Sequence, residues 1–322
     1  MNVTILGTGA YGLALSKRFL MNNCNVTLWT AIMDEYNMIK NERINKQVLP
    51  TYYIDDRIKI ESDLKEALLN VNLIVVAIPI KYIGNVIKQV SEFYNGASIC
   101  IASKGISQDE FLFPYDIVKK SIDTDKIGII SGGTFAVDMI NDIPLGLVAA
   151  SKDDETLNLI DRCLKNDLLK IEKSNDIIGA EIFATMKNIV AIGCGIIDGM
   201  NYPESSKCLF FTKCFNDISD FVLYFGGDKN TAYTYAGIGD LFLTCTSLKS
   251  RNYTLGNMIG KKIDVNEINK YLENTTVEGY YALLSFYELI HKKNINSKLI
   301  DTLYMIIYNK EPLSLLDEYL IS

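Results

Sequence analysis

The sequence contains a single histidine, His291, and no Cys-x-x-Cys pair among its seven cysteines. One histidine cannot build a His-rich metal site, so no metal is predicted. His291 itself lies in the stretch ELIHKKNIN, which is typical of the solvated end of a helix. An odd cysteine count without paired spacing favours reduced thiols in a cytoplasmic protein over a disulfide framework or a zinc site.

Positive charge and long apolar runs are also scarce. There are 32 Lys and Arg residues against 39 Asp and Glu residues, which gives a formal net charge of −7. This balance disfavours a nucleic-acid partner, and an anionic small substrate would need a local cluster of cations. No apolar run reaches the roughly 18 residues that a membrane span needs, so no span is predicted. No signal peptide is expected either, because MNVTILGTGAYG begins a folded element within two residues.

The length of 322 residues suggests two domains. In the first half, short apolar runs such as NVTILG, LIVVAIP and KIGIISG alternate with helical patterns. This alternation predicts a parallel, doubly wound sheet. After about Ser174 the strand pattern fades and helical patterns dominate. The sequence therefore predicts an α/β protein, with an N-terminal Rossmann doubly wound sheet over residues 1–174 and an all-helical C-terminal domain over residues 175–322.

The motif GTGAYG, residues 7–12, lies between the first predicted strand and the first predicted helix. In this setting the first glycine permits a tight turn, the second lets a pyrophosphate approach the backbone, and the third lets helix and strand pack closely. The helix N-terminus then offers N–H groups to the phosphates. The motif predicts a dinucleotide site, with a flavin nucleotide or S-adenosylmethionine as alternatives. The predicted contacts are Gly7, Gly9, Ala10, Tyr11 and Gly12.

The end of the second predicted strand bears on the choice between NAD and NADP. Thr30 stands where an acidic residue usually binds the ribose, and Asp34 and Glu35 follow a turn later. No Arg or Lys lies within residues 29–38 to meet a 2′-phosphate. We therefore expect NAD or NADP as the cofactor, with NAD favoured.

One lysine, Lys187, interrupts the otherwise apolar or small stretch EIFATMKNIVAIGCGIIDG, residues 181–199. Apolar residues surround it on every side of a helical wheel, which predicts a buried helix. Because a buried ammonium group is costly, either Lys187 has a chemical role or its side chain snorkels out of the helix.

Two further cationic positions are candidates for binding an anion. Arg251 and Asn252 precede YTLGNMIG and suit an anionic group, although residues 236–252 also have the composition of an ordinary polar loop. Lys104 lies at the C-terminal end of a predicted strand. Ligands bind at that end in open α/β sheets, but a lone lysine there is often simply solvated.

Seven sequence blocks follow one another along the chain: GTGAYG (7–12), VLP (48–50), ASKGI (102–106), SGGTFA (131–136), KNIVAIGCGIIDG (187–199), GIGDLFLTCTSLKSRN (237–252) and VEG (277–279). In this order and spacing the chain resembles the NAD(P)-dependent glycerol-3-phosphate dehydrogenases of the bacterial type. The resemblance implies an oxidoreductase that interconverts sn-glycerol 3-phosphate and dihydroxyacetone phosphate by hydride transfer with a nicotinamide cofactor. It further implies a cytoplasmic homodimer that supplies glycerol 3-phosphate for phospholipid synthesis.

The resemblance also implies roles for individual residues. Lys187 would donate and accept the proton, with its pKa lowered by burial. Asp240 would orient the ammonium group, and Lys104 would polarise the substrate carbonyl. Glu278 would be an acid on the cofactor side, although a charge at a helix N-terminus is an equally good interpretation. The implied substrate-binding residues are Lys104, Gly132, Thr134, Lys187, Asp240, Ser250, Arg251 and Asn252. The implied cofactor contacts beyond the glycine motif are Lys104, Ala136, Arg251 and Glu278.

Three departures from the family pattern leave alternatives open. Gly133 stands where the family usually has a proline, and a glycine leaves this loop freer. Thr30-Ala31 follow the tryptophan of the second strand, where the family often has Arg or His. Residues 200–230 lack the alanine and arginine that are common there. A relative acting on another small phosphorylated polyol, ketose or hydroxy acid is one alternative. The others are a dehydrogenase of the 6-phosphogluconate or ketopantoate type and a non-catalytic NAD-binding sensor.

Overall fold

The computed structural model describes all 322 residues, which form two compact units. The first unit comprises Met1–Lys104 and Pro114–Ile177, and the second comprises Gly105–Phe113 and Ile178–Ser322. Each unit has its own buried apolar core.

The first unit is built on eight strands. They are β1 (Asn2–Leu6), β2 (Asn25–Trp29), β3 (Lys59–Glu61), β4 (Leu73–Val76), β5 (Ser98–Ile101), β6 (Ile127–Ser131), β7 (Leu145–Ser151) and β8 (Leu169–Ser174). They form one sheet in the order β3-β2-β1-β4-β5-β6-β7-β8. Seven helices accompany them: α1 (Ala10–Met21), α2 (Met33–Glu42), α3 (Leu64–Ala67), α4 (Ile80–Glu92), α5 (Pro114–Ser121), α6 (Ala136–Met139) and α7 (Asp154–Leu164).

The central strands are mostly apolar, as expected for a sheet covered on both faces. Every residue of β4, β5 and β6 is buried, as expected for parallel strands between two layers of helices. The predicted fold class is therefore confirmed. One strand differs from the prediction of a parallel sheet, since β7 runs antiparallel to β6. A strand buried on both faces shows the same continuous apolar run in either direction, so the sequence pattern does not reveal this reversal.

The only tryptophan of the chain lies in this first unit, at the end of β2. Trp29 is 4% exposed, and its indole Nε1–H donates a hydrogen bond to the carbonyl oxygen of Ser62 at 3.1 Å. This hydrogen bond satisfies the only polar group of the buried indole ring.

The second unit is helical. It contains α8 (Ile177–Gly199), α9 (Glu204–Tyr224), α10 (Asp240–Cys245), α11 (Arg251–Gly260), α12 (Val265–Asn274), α13 (Glu278–Lys292), α14 (Lys298–Ile307) and α15 (Leu315–Ile321). A 3-10 turn over Lys229–Tyr233 and a wide π turn over Tyr235–Gly239 lead into α10. The helical patterns of the sequence predict these α-helices except α10 and α15, and they begin α11 at residue 254, three residues later than the structure does.

Helix α8 forms the core of the second unit. By length and composition it is the one helix apolar enough to cross a membrane, and 89% of its most apolar window is buried within the protein. The helix is apolar only on average, because Glu181, Lys187 and Asp198 interrupt the run, which agrees with the prediction that no uninterrupted apolar run is long enough. Its burial identifies α8 as a core helix rather than a span.

A short segment from the first half of the sequence belongs to the helical unit. Residues Gly105–Phe113 separate from their sequence neighbours because Ile106 and Phe113 are buried in the helical core. The ring of Phe113 meets that of Phe225 edge to face, with centroids 6.4 Å apart. The predicted domain of residues 1–174 did not separate this segment, and the first unit ends three residues later than predicted, at Ile177.

Candidate active site

The glycine motif forms a tight turn between β1 and α1. Gly7 has φ +117°, and a Cβ atom there would lie 2.5 Å from the carbonyl oxygen of Ala77. A Cβ atom at Gly12 would lie 2.3 Å from the carbonyl oxygen of Gly7, so strand and helix approach too closely for any side chain. At Gly9 a Cβ atom would meet nothing within 4 Å. The turn therefore leaves open space at the middle glycine, where a pyrophosphate would approach.

The N-terminus of α1 adds donors to this space. Gly9 is the N-cap residue and supplies no side-chain cap, and the first turn carries no acidic residue. The N–H groups of the first turn therefore have no acceptor from a capping side chain, and the helix dipole favours an anion here. These features fit the diphosphate of a nicotinamide dinucleotide.

The other predicted residues of the first unit follow the carboxyl ends of β5 and β6. Gly132 follows β6 with φ +155°, and the buried Thr134 lies two residues further on. The Tyr11 hydroxyl and Thr134 Oγ1 are 3.2 Å apart, which links this segment to the glycine motif. Lys104 Nζ lies 6.0 Å from the centroid of the Tyr11 ring. Since β1, β5 and β6 are parallel, their carboxyl ends meet at one edge of the sheet, and Ala136 begins α6 there.

In the second unit, Lys187 is buried beside a carboxylate. Its side chain is 9% exposed and donates a hydrogen bond to Oδ1 of Asp240, whose side chain is 2% exposed. Asp240 begins α10, and Thr244 Oγ1 one turn later donates to the Asp240 carbonyl oxygen at 2.7 Å. The ammonium group of Lys187 thus has a compensating charge in a dry environment, and the snorkelling alternative does not describe it.

A chain of side-chain amides lies next to this pair. Asn188 Oδ1 accepts from Asn252 Nδ2 at 2.9 Å, and Asn188 Nδ2 donates to Glu278 Oε2 at 3.1 Å. Asn252 Oδ1 accepts from the backbone N–H of Gly279 at 2.8 Å. Sequence reasoning missed Asn188, although its place directly after Lys187 in the KN block was a usable signal. The chain joins α8, α11 and the start of α13.

Ser250 and Arg251 lie at the N-terminus of α11. Ser250 is the N-cap residue, and its Oγ accepts from the backbone N–H of Tyr253 at 3.3 Å. Arg251 is the first residue of the helix and is exposed. Glu278 stands in the first turn of α13, as the helix-terminus interpretation requires, and its Oε2 accepts from Asn188.

A neighbouring thiol is kept neutral. Cys245 Sγ lies 3.8 Å from the carbonyl oxygen of Lys187. Burial, followed by the interaction with Cys194, raises the pKa of the Cys245 thiol well above its usual range. A thiol held protonated is a packing group rather than a nucleophile.

The first unit carries a dinucleotide-binding turn, and the second carries a buried lysine–carboxylate pair, which are the features of a dinucleotide-dependent dehydrogenase. Models of the NAD-dependent glycerol-3-phosphate dehydrogenase N-terminus and C-terminus match residues 2–157 and 176–316. The chain belongs to this family.

Individual relatives agree over the full length. A glycerol-3-phosphate dehydrogenase [NAD(P)+] of Staphylococcus haemolyticus is 32% identical over 314 residues, which cover 96% of this chain and 94% of the relative. One of Fusobacterium nucleatum is 29% identical, covering 100% and 97% of the two chains. The crystal structure of glycerol-3-phosphate dehydrogenase from Coxiella burnetii superposes with a TM-score of 0.93 at 26% identity, covering 100% and 99%. The predicted enzyme class and a nicotinamide cofactor, NAD or NADP, are confirmed.

Proposed function

We propose that Lys187 is the proton donor and acceptor in the interconversion of dihydroxyacetone phosphate and sn-glycerol 3-phosphate, which is the reaction of this family. The observation that carries the assignment is the buried pair of Lys187 and Asp240. A ketone reduced at carbon needs one proton at the developing alkoxide, and a positioned acid can deliver it.

The residues of the helical unit suit this task. Asp240 holds the ammonium group of Lys187 in one orientation, and Thr244 ties Asp240 to its own helical turn. Because Lys187 and Asp240 are buried, the charge of the ammonium acts on the substrate oxygen with less screening than in bulk water. The bound cofactor supplies the hydride. After proton transfer, neutral Lys187 remains hydrogen-bonded to Asp240 and is reprotonated from solvent.

We assign the substrate phosphate to Arg251 and Asn252, with a contribution from Ser250. The Asn252 amide already serves Asn188 and Gly279, and the Tyr253 N–H is capped by Ser250, so the second Nδ2 hydrogen of Asn252 and the backbone N–H groups of Arg251 and Asn252 are the donors left for phosphate. Arg251 adds a fork of charged donors. In the sheet unit, Lys104, Gly132 and Thr134 keep their proposed role as substrate contacts, and Lys104 would polarise the carbonyl.

The proposed cofactor contacts are the glycine motif, Lys104, Ala136, Arg251 and Glu278, with NAD favoured over NADP. We further propose that the enzyme is cytoplasmic, supplies glycerol 3-phosphate for phospholipid synthesis and acts as a homodimer. Sedimentation velocity would test the dimer by giving twice the 36.2 kDa chain mass.

The test is oxidation of NADH and NADPH, followed at 340 nm with dihydroxyacetone phosphate. The wild-type chain should turn over, and Lys187→Met should lower kcat by about 10²- to 10⁴-fold while leaving the Kd for NADH unchanged. Lys207→Met is the matched control, because Lys207 also pairs with a carboxylate, Asp198, in the same unit. A Lys187→Met enzyme as active as this control would remove Lys187 from proton transfer.

A further inference from the structure

A carboxylate lies between the glycine motif and the end of β2. Glu35, in the first turn of α2, accepts at Oε2 from Thr8 Oγ1 at 2.5 Å and from Thr30 Oγ1 at 3.2 Å. Thr8 is the residue between the first two glycines of the motif, and Thr30 directly follows β2. Both threonines are buried, at 2% and 4% exposure. The carboxylate is thus fixed in place although Glu35 itself is half-buried.

Further hydrogen bonds fix the two threonines that bind Glu35. Asn45 is fully buried, and its Nδ2 donates to the carbonyl oxygen of Thr8 at 3.1 Å. Thr30 Oγ1 also accepts from the backbone N–H of Ile32 at 3.2 Å, which orients its own hydrogen toward Glu35. One carboxylate oxygen therefore serves the protein, while Oε1 has no hydrogen-bond partner within the chain.

In a dinucleotide fold, the acid that binds the adenosine ribose approaches from the end of β2 beside the glycine motif. Thr30 occupies the sequence position at which that acid usually stands. Glu35 lies about one helical turn further along the chain, and its carboxylate reaches the same place by accepting the hydrogen bond from Thr30. The nearby cations are directed elsewhere. Lys46 pairs with Glu42, Lys40 lies over the Tyr36 ring, and Arg43 donates to backbone carbonyls at Ile54 and Ile58.

We propose that Glu35 is the residue that selects NAD(H) over NADP(H). Oε1 accepts a hydrogen bond from the 2′-hydroxyl of the adenosine ribose, while a 2′-phosphate would meet a fixed carboxylate with no cation to offset the repulsion. The proposal rests on the proposed function only in taking the nicotinamide dinucleotide as the bound cofactor.

Isothermal titration of the wild-type chain tests the contact without any substitution. The probes are NADH, NADPH and NADH that lacks the 2′-hydroxyl of its adenosine ribose. Loss of a hydrogen bond to a charged group should weaken binding roughly tenfold, and NADPH should bind at least as weakly as the deoxy form. Equal affinity for NADH and the deoxy form would overturn the proposal.

Glu35→Gln supplies the second arm, with Asp34→Asn as the matched control. Asp34 is the exposed neighbouring acid in the same helical turn. Glu35→Gln should weaken NADH and not NADPH, so that the ratio of the two Kd values falls at least fivefold, whereas Asp34→Asn should leave the ratio unchanged. If Glu35→Gln changed both Kd values by the same factor, Glu35 would only support the loop. Because no substrate is present, a protein that passes this test but fails to reduce dihydroxyacetone phosphate would contradict the proposed function and not the role of Glu35.

Discussion

Lys187 and Asp240 show how single residues acquire their chemistry from burial. Each alone would be an unpaired charge in an apolar core, and together they form the compensated pair on which the proposed proton transfer rests. The amides of Asn188 and Asn252 and the carboxylate of Glu278 act differently, since their hydrogen bonds join α8, α11 and α13. Arg251, the cation that we propose for the substrate phosphate, is exposed at the N-terminus of α11.

Arg251→Ala should raise KM for dihydroxyacetone phosphate by roughly 10- to 100-fold, because charge-assisted bonds to phosphate are among the stronger hydrogen bonds. It should change KM for unphosphorylated dihydroxyacetone little. Lys261→Ala, at the opposite end of α11, is the control and should affect neither. Steady-state kinetics with both ketones measures this, and equal increases for the two would argue against a phosphate contact at Arg251.

Between elements, the decisive contact is that of α8 with α11, which carry Lys187 and Arg251 respectively. The helices are so close that a Cβ atom at Gly256 would lie 1.9 Å from the carbonyl oxygen of Ile192. The Asp198 carboxylate of α8 strengthens the contact by accepting from Asn257 Nδ2 of α11 at 2.8 Å, and it also accepts from Lys207 of α9. Burial raises the pKa of Asp198, but these bonds outweigh it and the net pKa is lowered.

Gly256→Ala should force the two helices apart and lower the free energy of unfolding by about 2 kcal/mol or more. Gly84→Ala is the matched control, because Gly84 is exposed in the middle of α4 and its added Cβ would meet only Ile117 Cγ2, at 3.9 Å. There alanine should stabilise the helix by about 0.5–1 kcal/mol. Urea unfolding followed by circular dichroism measures both. Equal effects would show that the close approach of α8 and α11 has no energetic weight.

For the whole molecule, the sequence predicted most of what is determined locally. Alternating runs located the strands, the glycine motif located the turn after β1, and the apolar context of Lys187 indicated its burial. Contacts distant in sequence were not predictable from the local pattern. The residues around Asp240 do not indicate that it pairs with a lysine 53 residues away, which only the family resemblance implied, and nothing near Phe113 indicates that it packs with Phe225. The carboxylate of Glu35 was noticed only as following Thr30, because its return to Thr8 depends on the angle between β2 and α2.

The assignment of residues 105–113 to the helical unit has an energetic consequence. Phe113→Ala should cost about 3 kcal/mol and loosen the helices that surround the ring. Hydrogen exchange should therefore accelerate in α9 and α13 and stay unchanged in β1, β4 and β5. Phe93→Ala, a ring 39% exposed after α4, should change exchange in neither unit. Faster exchange in the sheet instead would contradict the assignment.

The single tryptophan gives the sheet unit a spectroscopic signal that the helical unit lacks. Trp29 is buried beside β3 in the sheet unit, and the helical unit has tyrosine and phenylalanine but no tryptophan. Its emission therefore reports solvent entry into the sheet unit alone. Far-ultraviolet ellipticity is weighted toward the helices of the helical unit. When both signals are recorded in one denaturant series, coincident transitions indicate that the whole protein unfolds together. Separate transitions indicate that the sheet unit and the helical unit unfold one after the other, and the comparison needs no introduced label.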